Sequence, residues 1–208
     1  MGCDIHMYVE RKRGGKWYNC DYFVPSIEWK DADGPDDSKF TRIEMYGGRN
    51  YALFATLANV RNYGNTDYIC EPKGLPEDAS EYVASEYESW VGDAHSCSYL
   101  TLQNLIDFQT EKHPLKRRGM ISPAAQKLLD ENGILPDHWC QGTNNPEYEF
   151  REWEEDIDVL APLIDELKKR ADELNMIYSF AWNSSKESID HSAYKAAANI
   201  RIVFWFDN

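Results

Sequence analysis

The chain opens on a strand pattern. Ile5 to Lys12 carries apolar Ile5, Met7, Tyr8 and Val9, Gly14-Gly15 supplies residues tolerant of positive φ, and Lys16 to Asn19 with Trp17 and Tyr18 can return alongside. This predicts an N-terminal hairpin. The far end, "NIRIVFWFDN", is an aromatic and β-branched run that reads as a second strand. A terminal strand so apolar must be covered, and pairing with the N-terminal hairpin would cover it. Between them, "RNYALFATLANVRN" places Leu53, Phe54, Leu57 and Val60 at helical spacing, predicting a core helix that ends near Asn62 and Gly64. "ICEPKGLPEDAS" is broken by Pro72, Gly74 and Pro76. In "HSCSYLTLQNLIDF", Thr101 has the character of an N-cap for a helix whose apolar face is Leu102, Leu105, Ile106 and Phe108. His95 to Ser98 then lies on the approach to that helix.

A further helix is expected from Pro123 to about Asn132, with Ser122 as cap, proline at the tolerated first position and Gly133 as terminator. Trp153, Ile157, Leu160, Ile164, Leu167, Ala171 and Leu174 recur with helical period, with Pro162 kinking that helix or marking its start. Asp21 to Gly48, rich in Asp, Gly, Pro and Ser around Asp31 to Ser38, reads as a surface excursion, and a second lies near 112–150. The expectation is an α+β fold in one domain, 1–208, whose antiparallel sheet contains the N-terminal hairpin and the C-terminal strand and packs against several helices.

Composition supports one substantial core: 208 residues, 42% hydrophobic and 13% aromatic. No apolar run approaches the roughly 20 residues of a membrane span, and the acidic N-terminus lacks a signal-peptide pattern, so no membrane association and a cytoplasmic location are expected. Five cysteines, an odd number without a C-x-x-C pair, read as reduced thiols. The formal charge of −14 excludes a general nucleic-acid binder, because phosphate contacts need a basic face. It leaves room for an acidic protein-binding inhibitor, in its sharpest form one that imitates DNA, for which the run Glu147 to Asp158 (EYEFREWEEDID) is the best support; against this, Phe150, Trp153 and Ile157 read as the buried side of that run.

Three clusters carry chemistry. Asp4 and His6 would share one strand face about 7 Å apart, suited to a metal, a general base or a polar ligand. In "GDAHSCSYLTL", Asp93, His95, Cys97 and Ser98 precede a helix start whose N–H groups, completed by the hydroxyls of Ser96 and Ser98, make an anion site. Arg49, Asn50 and Tyr51 open the core helix and Arg61 and Asn62 close it; arginine presents a planar fork to phosphate and an adjacent tyrosine can stack on a base. The sequence thus nominates Asp4, His6 and His95 as acid/base groups, and Arg49, Asn50, Tyr51, Arg61, Ser96 and Ser98 as ligand-binding groups. Asp4, His6, His95 and Cys97 are a candidate set for zinc or manganese. A shared ligand demands that His6 and His95 line one cleft, within about 10 Å. His191, in a polar loop, and His113 and His138, near prolines, carry less signal.

No G-x-x-x-x-G-K-[ST], G-x-G-x-x-G, H-E-x-x-H or G-x-S-x-G motif is present, nor the paired H-x-[ST] of two-histidine phosphoesterases. "MGCDIHMYVE", "RNYALFATLANVRN", "GLPEDAS", "HSCSYLTLQNL" and "VFWFDN" together resemble a family of small bacteriophage and prophage accessory proteins with no established reaction. The resemblance covers the chain apart from 21–45 and 112–150. Members of that family often carry a second histidine where this chain has Cys97, a change that keeps a metal ligand but alters its softness. The resemblance implies a phage accessory protein, a tool against host defence working in the host cytosol. On the residues, the first reading is a hydrolase or phosphodiesterase acting on a small nucleotide or other anionic ligand. The second is a non-catalytic sponge for a cyclic-nucleotide immune signal, and the third is the acidic inhibitor. Oligomeric state is left open.

Overall fold

The structure, a computed structural model, describes residues 2–26, 39–182 and 197–208, with side chains for all of these except 174–182. Its centre is a four-stranded antiparallel sheet in the order β2-β1-β8-β5, built from β1 (Asp4–Arg13), β2 (Lys16–Asn19), β5 (His95–Thr101) and β8 (Ile200–Asp207). Gly14 and Gly15, at φ 55° and 81°, turn β1 into β2 as the glycine pair predicts. The chain ends pair along their full length, from Asp4 opposite Asp207 to Arg11 opposite Ile200. This is the α+β architecture expected from the sequence.

β8 lies between β1 and β5 with both faces covered, which explains why it reads as an unbroken apolar run rather than an alternation. One face, through Ile202, Phe204 and Phe206, joins Ile5, Met7 and Val9 of β1. It packs on α1 (Tyr51–Ala58), α3 (Leu102–Glu111) and α5 (Ala161–Trp182) through Phe54, Leu57, Leu105, Ile164 and Leu167. The other face, Val203 and Trp205, joins Tyr8 and Cys97 under Val83 and Tyr87 of α2 (Glu81–Ser89). Truncating a fully buried phenylalanine such as Phe204 in this centre costs about 3–5 kcal/mol. Among the described residues no helix is long and apolar enough to cross a membrane, and all five cysteines are free.

Several elements differ from the sequence expectation. α1 stops at Ala58, earlier than Asn62, because Asn59 adopts the left-handed conformation (φ 59°) and its N–H closes the helix on the Ala55 carbonyl. His95 to Ser98 does lead into α3, as expected, but as the first part of strand β5, with a register shift between His95 and Ser98. The region 112–150 is structured: β6 (Leu115–Ile121) runs antiparallel to β7 (Glu149–Glu155), with α4 (Pro123–Asn132) between them, capped by Ser122 and ended by Gly133 as expected. The helical period from Trp153 therefore misreads its first members. Trp153 sits in β7, and Phe150 and Ile157 are exposed rather than on a buried side. Pro162 marks the helix start, where Asp158 accepts from the N–H groups of Leu160 and Ala161. Within 21–48, β3 (Tyr22–Pro25) pairs with β4 (Phe40–Ile43); Asp31 to Ser38 lies outside the described residues.

Candidate functional site

The register of β8 decides which nominated residues meet. His6 lies opposite Trp205 and His95 opposite Phe206, and because successive side chains of a strand point to opposite faces, the two histidines sit on opposite faces of the sheet. His6 packs against Trp90 (ring centroids 3.9 Å) and Trp205 (6.0 Å), with Nε2 3.2 Å from Asp207 Oδ2. His95 stacks on Phe206 at 6.0 Å. The single cleft expected for the pair is overturned.

The metal set dissolves for the same reason. Cys97 packs with Trp205 and Val203, away from the His95 ring, and burial pushes its thiol up to about 12. Asp4 is turned to Arg49, which donates to both of its oxygens, one at 2.8 Å. Those guanidinium hydrogen bonds hold the Asp4 carboxyl below its usual range. Among the described residues no three His, Cys, Asp or Glu side chains are grouped to hold a metal ion. The Asp4, His6 and His95 acid/base set is likewise not assembled.

The anion site expected at the α3 N-terminus is filled from within. Thr101 and Asn104 form a capping box, each side chain accepting from the other's backbone N–H, so those donors are already satisfied. Ser98 is buried, its hydroxyl 3.9 Å from Cys70 Sγ. Asn50 is also spent on structure: its Oδ1 accepts from the N–H groups of Ala52 (3.0 Å) and Leu53 (3.3 Å) as the N-cap of α1.

The remaining nominees do come together. Arg61, at φ 53°, turns its guanidinium to Asn208 Oδ1 (2.8 Å) and to the Tyr63 hydroxyl (3.2 Å), and beside the Cys3 thiol. The Tyr51 hydroxyl accepts from the Cys3 N–H at 3.3 Å. Cys3 Sγ is 4.0 Å from His95 Nε2, and His95 Nδ1 is 3.0 Å from Ser96 Oγ. Burial raises the Cys3 pKa, and the Arg61 guanidinium opposes part of that rise.

Tyr51 and Arg61 also line a cavity of about 270 Å³ between the loop after α1 and strand β6. β6 contributes Lys116, Arg117 and Arg118, and Trp139 forms a further wall. Two glycines permit this closeness: a Cβ on Gly64 would stand 2.0 Å from the Lys116 carbonyl, and one on Gly119 would stand 2.7 Å from the Trp139 ring. Backbone bonds between Met120 and Cys140 hold the Trp139 segment along β6. Lys116 pairs with Asp67 at 3.0 Å, and Arg117 pairs with Glu155 at 3.1 Å while lying 5.2 Å over Trp139. Arg118 donates to the Tyr63 carbonyl. Neither Arg61 nor Arg118 has a carboxylate partner among the described residues.

Sequence reasoning missed the β6 cations, because "LKRRGM" sits in a stretch read as a connecting excursion. Their only sequence signal is a basic run inside an acidic chain. A larger cavity, about 520 Å³, lies across the shared wall of Thr66 and Leu115, but its carboxylates Asp67, Asp156 and Asp158 give it the wrong sign for an anion. His113 borders it, held by Asp67 (3.2 Å) and Glu111 (3.0 Å) and stacked on Phe108. His138 is exposed near Asp137, and His191 lies outside the described residues. No family model, no curated protein and no solved structure matches the chain.

Proposed function

We propose that the protein binds a small phosphorylated ligand of the nucleotide class in the cavity between Arg61 and β6. The observation that carries this reading is the pair Arg61 and Arg118, two guanidinium groups on one cavity without a carboxylate partner among the described residues, in a chain of formal charge −14. With acids so abundant, an arginine pair left to neutral oxygens has its charge available to an incoming anion, and the guanidinium fork matches phosphate geometry. Tyr51, Tyr63 and Trp139 add aromatic faces on which a base can stack. The volume, about 270 Å³, falls just below the roughly 300–1,000 Å³ typical of ligand sites, which limits the ligand to a mononucleotide or smaller. A polymer of phosphates would meet the surrounding negative field instead.

Hydrolysis by Asp4, His6 and His95 has no support in this geometry, so capture of the ligand is the reading favoured over turnover by that set. In the setting implied by the phage resemblance, the protein would withdraw a nucleotide signal from the host. Calorimetric titration with inorganic phosphate and a panel of linear and cyclic nucleotides tests it. Arg61→Ala and Arg118→Ala should each weaken binding about 10- to 100-fold, the range for a charge-assisted hydrogen-bonding group. Failure of every ligand to bind, or unchanged affinity in both variants, overturns it. A second reading, the protein-binding inhibitor, is favoured by one observation: Phe150 and Ile157 stand exposed beside the acids of β7.

A further inference from the structure

We infer that Cys3 and His95 form a thiol–imidazole pair that attacks the phosphorus of a ligand held in the Arg61–Arg118 cavity, making the protein a phosphoesterase with a cysteine nucleophile. The inference rests on that cavity binding a phosphate-bearing molecule and adds a reaction to it.

Four features converge on the pair. Cys3 Sγ stands 4.0 Å from His95 Nε2, a separation that small movements on ligand binding close to hydrogen-bond contact. The imidazole is positioned from both other sides, by Ser96 Oγ 3.0 Å from Nδ1 and by the Phe206 ring beneath it. With Ser96 accepting from Nδ1–H, the lone pair of Nε2 faces the thiol, the arrangement a general base requires.

The third feature is the backbone. Ser96 (φ 52°) and Arg61 (φ 53°) are both non-glycine residues in the left-handed region, where side chains rarely settle without a cause. Ser96 orients His95, and Arg61 touches Cys3. Each thus places its side chain on the pair. The fourth is position: Arg61, beside the Cys3 thiol, and Tyr51, on the Cys3 main-chain N–H, both line the cavity, so the thiol lies behind the Arg61 side chain of the cavity wall.

Cys3 itself is fully buried, and burial keeps its thiol protonated. The nucleophile is therefore not a standing thiolate; it needs His95 to take its proton and Arg61 to move aside. An anion supplies the second requirement, because pairing with phosphate draws the Arg61 guanidinium off the sulfur. In the first half-reaction the thiol proton passes to His95 Nε2, the Sγ–P bond forms, and the P–O bond to the leaving alcohol breaks as its oxygen takes the proton from His95. In the second, His95 accepts a proton from water, whose oxygen attacks phosphorus. The Sγ–P bond then breaks, releasing phosphate and returning the proton to sulfur. Water is the only co-reactant, and no oxidation state changes.

The test uses the full chain with p-nitrophenyl phosphate, in parallel with calorimetry on inorganic phosphate. The wild-type protein should release p-nitrophenol, and acid quenching should trap a phosphoryl adduct on the peptide carrying Cys3. Cys3→Ser and His95→Ala should lose at least about 100-fold in turnover while still binding phosphate, with circular dichroism melts showing both variants folded. Phosphate binding by the wild type without p-nitrophenol release or adduct overturns the nucleophile and leaves the binding reading standing. Absence of phosphate binding overturns the cavity reading and this inference with it.

Discussion

Gly64→Ala tests whether the cavity depends on close approach of two backbones. A Cβ at this position would stand 2.0 Å from the Lys116 carbonyl oxygen and 2.9 Å from its carbon. An ordinary contact begins at 3.4 Å, so the loop must retreat from β6 by about 3.4 − 2.0 = 1.4 Å. Neither partner is the flexible tip of a side chain; both are main chain. Overpacking of this kind costs about 1–3 kcal/mol, and for a chain of this size each 1 kcal/mol lowers the melting temperature by about 2–4 °C. The expected drop is thus about 2–12 °C. The same retreat separates Arg61, on the loop, from Arg118, on the strand. A phosphate held by both guanidinium groups loses one of its charge-assisted contacts when they are drawn apart, so phosphate affinity should fall along with stability. Gly142→Ala serves as control, because a Cβ there meets nothing within 4 Å and its φ is not in the left-handed region. The assay is a thermal melt paired with phosphate calorimetry on wild type and both variants. Gly64→Ala melting and binding like wild type would refute the claim that this glycine sets the cavity.

Asp67→Asn should tighten phosphate binding by up to about fivefold, because it frees Lys116 from a half-exposed ion pair of about 0.2–1 kcal/mol, and calorimetry reads the change. The hydrogen bond from Lys116 holds the Asp67 carboxyl below its usual range, so its stabilising contribution is complete above about pH 4 and is lost only as pH falls through the lowered value; melts of wild type and Asp67→Asn should converge in that acid range. Asn50→Ala should cost about 0.5–2 kcal/mol of stability through the lost α1 cap and leave phosphate affinity unchanged, a combination that a ligand-binding role for Asn50 would not produce.

The fold was legible where local chemistry and tertiary context agree. Gly14-Gly15, Thr101, Ser122 and Gly133 each mark a boundary by satisfying or releasing backbone groups next to them, so no distant information is needed. Trp153 and Ile157 misled because a period of 3.6 run back from a true helix absorbs the nearest apolar residues of the preceding strand. α2 was invisible for a related reason: "EYVASEYES" buries only Val83, so its apolar stripe is almost absent. For the site, the sequence nominated Arg61, Tyr51 and His95, and the fold brings all three around Cys3. It separated His6 from His95 because which face each occupies depends on the pairing of β5 with β8, and a shift of one residue exchanges the faces. The cations of β6 were not legible at all, since their proximity to Arg61 is set by Gly64 meeting Lys116 across 52 residues of chain.

That register shift also bears on why the pair at Cys3 exists. Ser98 and Leu100 of β5 lie opposite Phe204 and Ile202 and share their core face, yet His95, an odd-numbered residue, shares the face of Phe206 as well. A regular strand carrying Ser98 and Leu100 on that face would carry Ser96 there and turn His95 to the His6 face, where Trp205 and Trp90 already fill the space. The irregularity at Ser96, with its positive φ, inserts the extra residue that changes the parity. One strained residue therefore does two things: it delivers the imidazole to the face that holds Cys3, and it puts its own hydroxyl on Nδ1 of the ring it has redirected. A sheet built only for packing gains nothing from this, since an unbulged β5 would keep its ladder to β8 intact and avoid the left-handed backbone. The strain is explained if what it secures is the position of His95 relative to the thiol.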